Sequence, residues 1–197
     1  MKLFLIGIFA FALTVHGSMG TSHATVVSGT MSADNSFTFY INTIDGEAGA
    51  TTVGSGNNIL QAYTLTSGAL TPGVVNYLLI SAYNFDGPAG FKGSFTLSDN
   101  AFTFADGTPS LLTNTSNWTV SKTGFGQGPV PASLGTDFYV AGANVASPIW
   151  SNDQSAGQTA FLSAQIIPTP EPSTYLLLCL SLSAVGFMRR QLRQKNS

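Results

Sequence analysis

The sequence predicts an all-β domain, an antiparallel β-sandwich, set between two apolar terminal segments. Three observations point there. The middle of the chain alternates apolar and polar residues with a period of two, as in Ser36–Asn42, where Phe37, Phe39 and Ile41 share one face. Clusters of Gly, Pro, Asn and Asp interrupt these runs at short intervals. No long stretch of the middle spaces its apolar residues as an amphipathic helix would. Short strands with frequent turns and no helical layer leave a sheet only another sheet to pack against.

In chain order, strands are expected at Ser36–Asn42, Gln61–Thr66, Val74–Tyr83, Gly93–Leu97, Ala101–Ala105, Trp118–Val120, Asp137–Val140 and Thr159–Ile166. Tyr77-Leu78-Leu79-Ile80 is apolar on both faces, which suggests a central strand. Phe95, Leu97, Phe102 and Phe104 are core candidates. The intervening turns are Asp45-Gly46, Gly54-Ser55-Gly56-Asn57-Asn58, Thr71-Pro72-Gly73, Asp86-Gly87-Pro88 and Asp106-Gly107-Thr108-Pro109. Each supplies a glycine tolerant of positive φ or a proline that fixes φ. Gly124–Pro131 reads as a flexible loop; its glycines do not join a strand to a helix, so they make no phosphate cradle.

Residues 1–24 read as a secretory signal peptide. Lys2 is the positive start, Leu3–Val15 the apolar core, and Ser22-His23-Ala24 puts small residues at the positions a signal peptidase inspects, so the mature chain is expected to begin at Thr25; the long polar run Gly17–Ser22 leaves cleavage a few residues earlier as the alternative. Export of this kind implies the Sec translocon and a signal peptidase as partners. Residues 168–197 form the second address. Pro168, Pro170 and Pro172 remove backbone donors and favour an extended path. An apolar run from Tyr175 to Met188 follows, then Arg189 and Arg190 with further basic residues to the end. A transmembrane helix is expected at 174–188, with a basic tail at 189–197 whose arginines stay on the cytoplasmic side. Counted from Ser173 the run has 16 residues, shorter than the roughly 20 of a full span.

The remainder, 25–167, has the length of one domain. Its basic residues are Lys92 and Lys122; its acids are Asp34, Asp45, Glu47, Asp86, Asp99, Asp106, Asp137 and Asp153, so its charge is 2 − 8 = −6. A surface so poor in cations is unsuited to nucleic acid, which is bound by Lys and Arg displacing counterions. Both histidines, His16 and His23, fall in the signal peptide, and the one cysteine, Cys179, in the apolar run. The domain therefore has no material for a Ser-His-Asp triad, a Cys-His pair, a zinc site of the usual N/S ligands or a disulfide. The expectation is that it is not an enzyme. A carboxylate pair about 5–10 Å apart would be the one route to a glycoside hydrolase.

The tail, Pro170-Glu171-Pro172-Ser173-Thr174, the apolar segment and Arg189-Arg190, resembles the PEP-CTERM sorting signal of bacterial exosortase substrates. The resemblance implies that Pro170, Glu171 and Pro172 are the recognition and cleavage motif and that Arg189 and Arg190 are the membrane stop. It also implies an exosortase-like processing enzyme as partner, with the protein anchored at the inner membrane before release to the surface or matrix. The plainer alternative is a membrane anchor with a proline-rich spacer.

The middle of the chain is similar to a galactose-binding-like jelly roll. The similar strings are Met31–Asn42 with its Ala33-Asp34-Asn35, Leu70–Asn84, Asp86–Phe91, Leu111–Ser121, and Ile149-Trp150-Ser151 followed by Gln158–Leu162. Asn42-Thr43 and Asp86-Gly87 depart from the pattern, both in loops. The two resemblances together imply a role in exopolysaccharide or biofilm, with carbohydrate binding as the activity. The alternatives are a structural surface protein with no small ligand, or a carboxylate-dependent hydrolase.

Asp34, Asn35 and Asp86 are candidate ligand or calcium-loop residues, since calcium takes about six to eight oxygens. The plainer reading makes Asp34 and Asn35 an Asx-type turn and Asp86 the start of a β-turn. Trp118 and Trp150, with Tyr40, Tyr63, Tyr83 and Tyr139, could stack on sugar rings if exposed; packing in the core is the alternative. Asn114-Thr115-Ser116 and Asn117-Trp118-Thr119 match the N-glycosylation sequon.

Overall fold

The computed structural model describes residues 24–170 and Ser183. The expected signal peptide through residue 23, Glu171, Pro172, the expected transmembrane helix apart from Ser183, and Arg189 and Arg190 lie outside the described residues. Among the described residues no helix is long and apolar enough to cross a membrane.

Residues 24–170 form two antiparallel sheets packed face to face, a β-sandwich. The strands are β1 (Val27–Asp34), β2 (Ser36–Asn42), β3 (Thr51–Gly56), β4 (Tyr63–Thr66), β5 (Asn76–Asn84), β6 (Gly90–Leu97), β7 (Phe102–Phe104), β8 (Ser110–Leu112), β9 (Thr119–Ser121), β10 (Val130–Pro131), β11 (Ser133–Leu134), β12 (Ile149–Trp150) and β13 (Gln158–Pro168). One sheet runs β11-β12-β6-β1-β4, with β8 also on β6; the other runs β10-β9-β13-β5-β2-β3, with β7 also on β13. β5 lies between β13 and β2, as the doubly apolar Tyr77–Ile80 run requires.

The inward faces are Val27, Met31 and Ala33 of β1; Phe37, Phe39 and Ile41 of β2; Leu78, Ile80 and Ala82 of β5; Phe91 and Phe95 of β6; and Ala160, Leu162, Ala164 and Ile166 of β13. A train of rings runs through this core. Tyr63 meets Phe37, Phe37 meets Phe91, Phe91 meets Trp118, Trp118 meets Phe95 and Phe95 meets Phe39, with centroids 5.6–6.1 Å apart and mostly edge to face. Gly29 pairs with Phe95 across the ladder, and a Cβ there would strike the Phe95 ring. Glycine is therefore needed on β1 to admit the ring on β6.

Leu79 is fully buried although it points away from Leu78 and Ile80. The reason lies on the outer face of its sheet. Phe125 packs edge to face on Tyr40 of β2 and on Phe161 of β13, at 6.1 and 5.2 Å, and so bridges over β5. Expected as a flexible loop, Gly124–Pro131 instead begins with a buried ring laid across the sheet.

Several expectations change. Asp137–Val140 is irregular, not a strand. Its polar groups find other partners: Phe138 O accepts from Lys92 Nζ at 3.2 Å, and Val140 O accepts from Ala143 N at 3.0 Å. Gly54-Ser55-Gly56, expected in a turn, belongs to β3 and pairs with Phe37–Phe39. β1 was hidden by its small inward residues, Gly29 and Ala33, which weaken the alternation.

Candidate functional site

β1 and β13 run in opposite directions along the sandwich, and their ends define two poles. At one pole β1 ends at Asp34, β5 ends at Asn84 and β13 begins at Gln158, paired with Asn84. At the other β1 begins at Val27, paired with Leu97, and β13 ends at Pro168, paired with Phe102. β13 is 11 residues long, so the poles lie roughly 35 Å apart at the usual strand rise.

The first pole gathers Asp34, Asn35 and Asp86, although Asn35 and Asp86 are 51 residues apart in sequence. The Asn35 side-chain oxygen accepts from the backbone N–H groups of Phe85 and Asp86. Asn35 N in turn donates to Tyr83 O at 2.9 Å. From below, the buried Asn84 amide donates to Gly87 O, Gln154 O and Ser155 O at 3.0–3.2 Å. The turn after β5 is thus pinned from both sides. Asn35 acts as a bridge between strands rather than as the local Asx-type turn, because its oxygen is used by residues of a different hairpin.

This pinned turn projects two rings. Tyr83 and Phe85 sit edge to face with centroids 6.4 Å apart, 38% and 70% exposed. Beside them the Asp34 carboxyl is raised above its ordinary value, first by burial and then by the charge of Asp86. Asp34 is half-buried and Asp86 exposed. The set suits a neutral, hydroxyl-rich ligand: aromatic rings for C–H groups, carboxylates as acceptors for O–H donors.

Calcium fits poorly there. Asp34 and Asp86 offer carboxylates, but the Asn35 oxygen is already spent on two N–H groups. Among the described residues no group of three or more His, Cys, Asp or Glu could hold a metal.

Trp118 and Trp150 do not reach the surface, being 1% and 0% exposed, so the exposure that sugar stacking requires is not met. Trp118 sits between Phe91 and Phe95 and donates Nε1–H to Leu112 O at 3.2 Å. Trp150 is sealed in β12, its Nε1 without a protein partner. In the sequons, Asn114 donates to Leu112 O and Asn117 to Asp106, so both amides are engaged.

A second feature lies on the outer face of the β5 sheet, a cleft of about 400 Å³ lined by Asp45, Tyr77, Asn117, Thr119, Ser163 and Gln165 among others. Ser163 Oγ bonds Thr119 Oγ1 at 2.8 Å and donates to Asp45 Oδ2 at 3.3 Å; Asp45 Oδ1 is buried without a partner. Burial raises the Asp45 carboxyl, and the Ser163 hydrogen bond partly opposes this.

Sequence reasoning missed Phe85 and Asp45. The signal for Phe85 was available, since an aromatic directly before Asp86-Gly87-Pro88 sits in a turn and not in an alternating strand. No local signal marks Asp45.

Of the sorting motif, Pro170 is described; it is exposed and directly follows Thr169, which still hydrogen-bonds into the domain. No curated protein matches the chain, and no solved structure matches it. Residues 168–194 match the PEP-CTERM protein-sorting motif. The chain therefore carries the PEP-CTERM signal of an exported protein, sorted at the membrane and processed by an exosortase-type enzyme.

Proposed function

We propose that the β-sandwich is a non-catalytic cargo domain that acts at the cell surface or in the extracellular polysaccharide matrix, as in a biofilm, and binds polysaccharide through its Asp34/Asp86 pole. The supporting observation is the exposed Tyr83–Phe85 ring pair on a turn pinned by Asn35 and Asn84. The pole lies opposite the end from which the sorting signal leaves, so an anchored molecule would present it away from the membrane. The acidic domain surface and lack of His and Cys fit a binder of neutral glycan better than an enzyme. The Asp34 carboxyl feels the charge of Asp86, but Asp86 is exposed, which does not favour the buried acid of a hydrolase.

The test is retention of the mature protein, recovered from its host, on immobilised exopolysaccharide. Phe85→Ala and Tyr83→Ala should each weaken retention about tenfold, the order of one lost base- or ring-stacking contact, while Trp118→Phe should leave it unchanged. Equal retention of all variants, or retention of none including wild type, would sink the proposal.

A further inference from the structure

The match to the sorting motif begins at Pro168, yet Pro168 is still part of β13. It pairs with Phe102, and Ile167 pairs with Thr103. Thr169 is held twice more: its N–H donates to Ala101 O at 2.9 Å and its Oγ1–H to Asn100 O at 2.6 Å. The loop that receives it also holds Thr25 and Val26, just before β1. Thr25 Oγ1 donates to Asp99 Oδ1 at 2.7 Å, Val26 N to Ser98 Oγ at 3.0 Å, and Ser98 N to Val26 O at 3.0 Å. Ala101 N donates to Asp99 Oδ1 at 2.9 Å, which ties the loop together. Ser98–Ala101 thus clamps both ends of the exported domain at one pole.

An enzyme that reads an extended peptide needs that peptide's backbone donors free, because an N–H already donating inside the domain cannot also donate to a second strand. Residues 167–169 are not free. Only Pro170–Thr174 separate the clamp from the apolar run at Tyr175, and five extended residues reach at most about 18 Å. A longer readable stretch has to come from the end of β13. Peeling has a natural limit, since Ile167 is 36% exposed whereas Ile166 is fully buried.

Resting on the sorting reading above, we infer that the folded domain meters its own processing: Thr169 is a positioning residue whose clamp to Asn100 and Ala101 limits how much chain the exosortase-type enzyme can reach. Release of residues 167–169 precedes productive recognition of Pro170, Glu171 and Pro172, and Ile166 keeps the rest of the sandwich intact while this happens. The same loop holds Thr25 and Val26, so the support of the clamp is shared with the first strand of the domain.

The test is a pulse-chase of the full-length chain in a host with its exosortase and in one lacking it. Thr169→Val keeps the backbone bond and the β-branched shape but loses the Oγ1 bond; it should be processed about two- to tenfold faster, the worth of one neutral hydrogen bond. Eight Gly/Ser residues inserted between Thr169 and Pro170 should speed processing at least as much, and in that background Thr169→Val should add nothing. A stability effect would persist in both backgrounds, so its persistence would overturn the inference. Wild-type rates in both single variants, or slower processing of the insertion, would do the same. Identical unprocessed chains in both hosts would remove the sorting reading itself, and the clamp's role with it.

Discussion

Lys92 Nζ lies 2.9 Å from Asp137 Oδ1, with the lysine side chain 4% exposed and the aspartate 74% exposed. One of the domain's two cations is therefore taken inside, and the carboxylate that answers it stays at the surface. The same ammonium donates to Phe138 O at 3.2 Å, so a single side chain tethers a segment that has no ladder of its own. A buried ammonium without its partner is costly, because desolvation is no longer offset.

Asp137→Asn should accordingly lower the denaturation midpoint, and Lys92→Met with Asp137→Asn should recover part of the loss by removing the stranded charge. The Asp137 carboxyl is held below its ordinary value of 3.8, chiefly by the hydrogen bond from Lys92. A depressed acid stabilises the fold above its unfolded value and loses that contribution as pH falls through the folded one. The gap between wild type and Asp137→Asn in urea titrations should be full at pH 7 and close in strong acid. A gap independent of pH would show that the ion pair is not its source.

Asp45 should behave in the opposite sense. Burial raises its carboxyl above 3.8, so the folded state binds the proton more tightly than the unfolded state. Its contribution to stability then falls as pH rises from the unfolded value through the folded one. Asp45→Asn, which can still accept from Ser163, should stabilise at pH 7 by less than about 1 kcal/mol, since the residue as a whole is only half-buried. The gain should vanish near pH 3, below the ordinary 3.8. Denaturant midpoints at the two pH values decide this; destabilisation at pH 7 would mean the carboxylate is satisfied.

Trp118→Ala should cost about 3–5 kcal/mol, as large aromatic deletions in packed cores do. It removes the ring that joins Phe91 to Phe95 and leaves Leu112 O without its donor. Equilibrium unfolding followed by circular dichroism measures it. A loss under about 1 kcal/mol would contradict the burial of this side chain.

How much was legible depends on the range of the interactions concerned. Phe37, Phe39 and Ile41 announced their strand because a period of two is a local property, and β5 announced its central place because both its faces are apolar. Asp34, Asn35 and Asp86 stood out as oxygen-bearing loop residues. That they meet was not legible, since Asn35 and Phe85 are 50 residues apart and only the sheet register brings them together. β1 was missed because Gly29 is small for the sake of Phe95, a reason that resides on another strand. Asp137–Val140 looked like a strand by residue type, but no neighbouring strand offers it a ladder.

The sequence by itself determined the fold class, the absence of His and Cys from the domain and the address at its end, because these depend on composition, local period and contiguous motifs. Tertiary structure decided which aromatics are core and which are surface, placing Trp118 between two phenylalanines and Phe85 in solvent. It also decided that Thr25 and Thr169 are held by one loop. Burial and hydrogen-bond partnership are set by the packing of segments distant in the chain, and a linear pattern carries no record of which segments those are.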